Sequence, residues 1–246
     1  MKNLSKIFIA VAALFVFACT TDTTENPSVQ LGAEQTTLTL SLEESRTQLG
    51  EKVEGVYRLV WSEGDAVAIN GVASAALTAN QAGGPAAEFT FSGELARPYN
   101  IVYPAPAEGV AASTEGQYPV TFLATQSYTA GSFCSGAAPM YGYAAAEGEG
   151  QIELNHLAGA LCIAPIGEGV TLTGLTVKSE SGSIAGNFDL DCTSGALTPH
   201  TDASNIVNVE LGAGLALGAE ATPIYVAVPA GSTEHSLSHF TPQTTR

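Results

Sequence analysis

Two apolar patterns divide the chain. Ile7 to Ala18 is an unbroken apolar run of twelve residues behind Lys2 and Lys6. A bilayer-spanning helix needs about 20 apolar residues, so the run has the length and positive flank of a signal-peptide core. From Thr36 onward the period becomes two. Thr36-Thr37-Leu38-Thr39-Leu40-Ser41-Leu42 places Leu38, Leu40 and Leu42 on one face of a strand. Val56–Trp61, Ala66–Ile69, Glu88–Phe91, Tyr99–Tyr103, Gly116–Phe122, Ile152–Leu154, Leu157–Ile166, Val170–Ser179, Asn205–Leu211 and Pro223–Val228 read as further strands. Each is rich in Thr, Val, Ile, Leu or aromatics and bounded by Gly, Pro, Ser or Asn. Tight turns are predicted at Ser62-Glu63-Gly64-Asp65 and, as a type I′ hairpin, at Asn70-Gly71. Residues 127–150, dense in Gly, Ala and Ser, read as the least structured stretch. No amphipathic helix and no fixed-period repeat follow the leader, so the body is predicted to be one antiparallel all-β unit, a β-sandwich or barrel.

The apolar run ends in Val16-Phe17-Ala18-Cys19. A small residue directly before a cysteine resembles the lipobox of bacterial lipoproteins, with Val16 fitting and the bulky Phe17 departing from it. The resemblance implies cleavage after residue 18, lipidation at Cys19 and an outer-membrane anchor, surface-exposed or in a pilus, that inserts two or three acyl chains. Each buried methylene contributes about 0.8 kcal/mol, and stable anchoring takes two such signals. The alternative is an ordinary signal peptide followed by an incidental cysteine. Residues 19–35 are Thr-rich with little to bury and read as a flexible tether. Residues 36–230 form the β-domain, and residues 231–246 a polar tail poor in strand pattern.

Charge narrows the partners. The chain carries a formal −16, and removing the leader with Lys2 and Lys6 takes it to −18. The remaining cations, Arg46, Lys52, Arg58, Arg97, Lys178 and Arg246, are scattered, whereas a nucleic-acid groove needs them clustered. Nucleic acid is therefore excluded as an expected partner. No calcium loop of the Asp-x-Asp-x-Asp-Gly kind occurs, and Asp189 and Asp191 read as solvated carboxylates on one strand face. Cys134, Cys162 and Cys192 lack zinc or redox spacing; Cys162, within an apolar run, reads as a small buried residue. His156, His200, His235 and His239 lack metal spacing, and no Gly-x-Ser-x-Gly elbow places a nucleophile. Neither a catalytic residue, a metal nor a cofactor is expected, and His156 reads as a structural histidine.

Three segments together carry a family resemblance. Arg46-Thr47 precedes Tyr57–Trp61 and the turn Trp61-Ser62-Glu63-Gly64-Asp65. Ile152-Glu153-Leu154-Asn155-His156 leads into the apolar strand Leu157–Leu161. Ile224-Tyr225-Val226-Ala227-Val228 ends in Pro229. In order and spacing they resemble the fimbrillin family, the type V pilin precursors and fimbrillin-like lipoproteins, over most of residues 36–230. The resemblance implies a transthyretin-like sandwich and a cell-adhesion role at the outer membrane. It also implies a trypsin-like processing protease that cuts after an arginine, and assembly with other pilin subunits by β-strand addition. Arg46 and Thr47 flank the candidate processing bond, just beyond the alternating strand that cleavage would release. Arg46 is otherwise a loop or strand-edge arginine in a chain never cut. Family pilins carry a second β-domain, and this sequence stops shortly after Pro229, as a first domain truncated or natively short. The rival class is a lipid-anchored module binding glycan or a host ligand without polymerising. Its candidate contacts are Tyr141 and Tyr143, which alternate around Gly142 and could share a strand face.

Overall fold

The computed structural model describes residues 35–42, 60–145 and 152–230, together with the backbone of four short strands outside those ranges. All regular structure among these residues is β. The strands in chain order are β1 Gln35–Leu42, β2 Lys52–Val53, β3 Val56–Tyr57, β4 Ala68–Ile69, β5 Val72–Ala73, β6 Ala86–Ser92 and β7 Tyr99–Tyr103. They continue as β8 Tyr118–Phe122, β9 Thr125–Ser127, β10 Met140–Ala144, β11 Ile152–His156, β12 Ala158–Ile163 and β13 Thr171–Ser179. The last are β14 Gly186–Asp191, β15 Ala196–Pro199, β16 Ile206–Ala216, β17 Ile224–Pro229, β18 Leu237–Phe240 and β19 Gln243–Thr244.

The largest sheet has the order β5-β4-β7-β10-β11-β1-β6. Most pairings are antiparallel; β1 with β11 and β16 with β9 are parallel. One face of this sheet buries Leu40, Phe89, Phe91, Ile101, Met140 and Leu154, and Trp61 closes the cluster from the loop side. The opposite face packs Val102 against Phe122, Phe188 and Leu190 of the β15-β14-β8 sheet. Further along, the β12-β17 ribbon lays Leu161, Ile163, Ile224 and Val226 against Leu175, Val177, Val207 and Val209 of β13 and β16. This layering is what period-two alternation dictates: each strand has one apolar face to bury, and a second sheet buries it.

The predicted turns form for the predicted reasons. Asn70 and Gly71 have φ of 51° and 81°, the two positive values a type I′ hairpin needs. The Asn70 amide donates to Ala96 O and Pro98 O at 2.7 and 3.0 Å, and its carbonyl accepts from Asn100 N at 3.0 Å. Asn70→Ala is expected to cost about 1–2 kcal/mol in urea denaturation, because these bonds go and Ala tolerates positive φ poorly. At the other turn, Ser62 N donates to Asp65 Oδ2 at 2.7 Å and Tyr103 Oη to Asp65 Oδ1 at 2.8 Å. Burial raises the Asp65 carboxyl above its ordinary range, against the lowering effect of these two bonds.

Four expectations need correction. Within the stretch read as least structured, Met140–Ala144 is an interior strand of the largest sheet. Its glycine is a packing residue: a Cβ on Gly142 would lie 2.8 Å from Leu154 Cδ2. Cys162 is exposed, because its side chain alternates with Leu161 and Ile163 and only their face is covered; Cys192 is the buried cysteine. Asp189 is buried rather than solvated. In the polar tail, β18 and β19 pair with β13, where side-chain pattern gave no strand signal.

Candidate functional site

The alternating strand of the sequence is β1, and its position is the central feature of the site. It lies between β6 and β11, paired with β6 along nearly its whole length and with β11 over its last three residues. Against β6 it is antiparallel over seven residue pairs, from Gln35↔Ser92 to Ser41↔Ala86. Against β11 it is parallel, with Leu40↔Ile152 and Leu42↔Leu154. Leu40 is wholly buried, Leu42 nearly so, and Leu38 packs on the same cluster. Polar bonds hold both ends: Thr36 Oγ1 donates to Gly93 O at 2.7 Å, and Leu42 N donates to Pro85 O at 2.9 Å.

The slot that β1 occupies is walled by Ala87, Phe89 and Phe91 of β6 and by Ile152 and Leu154 of β11, all buried. A fully buried leucine contributes about 1.5–3 kcal/mol. Leu40 and Leu42 therefore hold β1 strongly, and their removal would bare an apolar groove with unpaired backbone on two sides. A second strand could satisfy those backbone groups only with the same alternation, since a one-residue slip turns every side chain to the other face.

The other sequence-nominated residues fall elsewhere. Cys19, Arg46 and Thr47 lie outside the described residues, as do His235 and His239. Tyr141 and Tyr143 do alternate on one face of β10, but in different settings. Tyr141 is half-buried among the residues of the β8 and β14 layer, with its ring against Gly195, whereas Tyr143 is 41% exposed. His156 is half-buried at the end of β11.

Sequence reading missed one polar cluster. The Asp189 carboxylate receives Ser113 N at 2.8 Å and Ser113 Oγ at 2.5 Å, and pairs with His200 Nε2 at 2.6 Å. Burial disfavours its charge, but hydrogen bonds from Ser113, His200 and Thr114 outweigh that and hold its carboxyl well below the usual range. The carboxylate is the central member here, whereas a nucleophilic relay places imidazole between serine and carboxylate. The geometry pins the loop before β8 and the turn after β15 onto β14. No sequence signal joined Ser113 to Asp189, which are 76 residues apart. Among the described residues, no group of three or more His, Cys, Asp or Glu could hold a metal ion.

No protein-family model and no curated protein matches the chain. Among solved structures, the chain is similar to a proposed cell adhesion protein from Bacteroides ovatus, at 13% identity and a TM-score of 0.45, covering 86% of each chain.

Proposed function

We propose that this chain is a fimbrillin-like surface lipoprotein acting in cell adhesion, as a pilus subunit or pilus-associated protein. In this reading Cys19 anchors it to the outer membrane. A trypsin-like protease cuts between Arg46 and Thr47, β1 leaves with the N-terminal segment, and a strand from another subunit takes the slot. The supporting observation is the placement of β1. It is the first strand of the domain and lies between two other strands, with an apolar face toward the core. The chain crosses from β1 to the rest of the domain through the segment that holds Arg46. One cut there frees an interior strand and leaves every other described strand in one piece.

The test is intact mass and N-terminal sequencing of protein recovered from its native membrane fraction, with and without the trypsin-like activity. The expected species begins at Thr47 and appears only with the protease, and Arg46→Ala abolishes it while leaving the lipidated Cys19 form. Recovery of a chain beginning at Cys19 under both conditions, from cells assembling pili, would overturn the reading. The exposed Tyr143 ring keeps a glycan-binding module as the second reading; retention of oligosaccharide binding in Tyr143→Ala would remove its support.

A further inference from the structure

A cleft of about 580 Å³ lies on the face of the largest sheet opposite the Trp61 cluster. Ala68 and Val102, paired neighbours on β4 and β7, line its floor. Residues 104–117, which link β7 to β8, supply Ala107 and Glu108 to its wall, and Gln117 and Tyr118 complete it where β8 begins. The volume falls in the range of small-molecule pockets, about 300–1,000 Å³.

The link is tied down along its length. Ala105 N donates to Ala66 O at 2.8 Å, just before β4. Ser113 donates to Asp189 from both its amide and its hydroxyl. Between these ties Val110 N closes a turn onto Ala107 O at 3.1 Å, and beyond them Gln117 N closes another onto Thr114 O at 3.2 Å. The Asp189–His200 pair therefore anchors the wall of a cleft, through a segment that has no strand of its own. A wall fixed in advance spares a ligand the cost of ordering it.

The chemistry of the wall narrows the ligand. Gln117 Oε1 is buried and accepts no hydrogen bond. An orphan acceptor is costly, and the terminal torsion of a glutamine is broad, so a modest turn of the carboxamide offers this oxygen to a donor in the cleft. Tyr118 beside it is half-buried, with its hydroxyl 3.4 Å from Asn70 Oδ1. Glu108 is the one charged side chain among the described lining residues. With no Lys or Arg there, and a formal charge of −16 on the chain, an anionic ligand is repelled. Glu108 is exposed, so a cation drawn to it stays in water and gains little. The remaining class is a neutral molecule rich in hydroxyl donors, with an apolar face for the alanine, proline and tyrosine surfaces.

We infer that this cleft binds a neutral saccharide, a sugar hydroxyl donating to Gln117 Oε1 while the C–H face of the ring packs on Tyr118. The site is independent of strand exchange, and the exposed Tyr143 does not line it.

Calorimetric titration of the full chain with maltose, lactose and N,N′-diacetylchitobiose tests it, with glucuronic acid and cadaverine as charged counterparts. At least one disaccharide is expected to bind with a Kd of about 1 mM or tighter, and neither charged probe to do so. Gln117→Leu keeps the bulk of the side chain and removes the orphan oxygen. It should weaken that binding by about tenfold or more while Tm holds or rises. Ala107→Trp, at an exposed position, should fill the cleft and weaken binding as much, whereas Tyr143→Ala should leave it unchanged. Failure of all three disaccharides to bind up to about 10 mM overturns the site. So does binding of cadaverine or glucuronic acid alone, or disaccharide binding that Gln117→Leu and Ala107→Trp leave intact. Loss of binding in Tyr143→Ala alone overturns it in favour of a glycan surface at Tyr143.

Discussion

Trp61→Ala is expected to lower stability by about 3–5 kcal/mol, the range for losing a buried aromatic and leaving a cavity. Trp61 is 1% exposed. Its ring meets Phe89 edge-on at 4.9 Å and Tyr103 at 5.3 Å, so it joins β6, β7 and the turn that Asp65 caps. Each such aromatic pair contributes about 0.5–1.5 kcal/mol beyond its buried area. For a domain of this size the loss corresponds to a fall of roughly 10 °C in Tm. Trp61→Phe should cost far less. The indole Nε1 is buried without a hydrogen-bond partner, and an orphan donor carries a penalty of about 1–3 kcal/mol that phenylalanine removes. Calorimetry of the two variants checks the ranking; equal losses would contradict the assignment of the stabilisation to aromatic packing.

The second large effect is at Asp189. Leaving a buried polar group without its hydrogen-bond partner costs about 1–3 kcal/mol, and Asp189→Ala strands the Ser113 amide and the His200 ring together. The pH dependence has a definite sign. The folded carboxyl is held well below its ordinary value, near 3.9 in an unfolded chain. Its stabilisation is therefore complete above about pH 5 and is lost as pH falls below the unfolded value toward the folded one. Asp65 is shifted in the opposite direction by burial, so it acts against this trend. The difference between the parent and Asp189→Asn isolates the Asp189 contribution: it should be largest near neutrality and shrink below pH 4. A difference independent of pH would contradict the pairing.

Local signals in the sequence were followed where neighbours do not override them. The Thr/Leu alternation of β1, the Asn70-Gly71 hairpin and the Trp61–Asp65 turn depend on period and backbone preference, which are properties of a few adjacent residues. Met140–Ala144 was hidden because Gly142 reads as a loop residue until Leu154 is seen beside it. Cys162 was misplaced because an apolar run does not reveal that a two-stranded ribbon covers only one face. The Asp189 cluster depends on contacts between residues far apart in sequence. The slot itself combines both kinds of information. Its occupant was legible in Leu38, Leu40 and Leu42, whereas its walls, from residues 86–92 and 152–156, were not identifiable as neighbours.

The central claim is that β1 can leave a folded domain and be replaced. The direct test is to treat the purified chain with a trypsin-like protease, separate the released N-terminal segment, and follow the remainder by circular dichroism and by rebinding of a β1-sequence peptide. The account predicts a remainder that begins at Thr47, keeps its β signal, and rebinds the peptide only when its leucines alternate as in β1. A remainder that loses its β signal on cleavage, or that binds a peptide with scrambled alternation equally well, would contradict it.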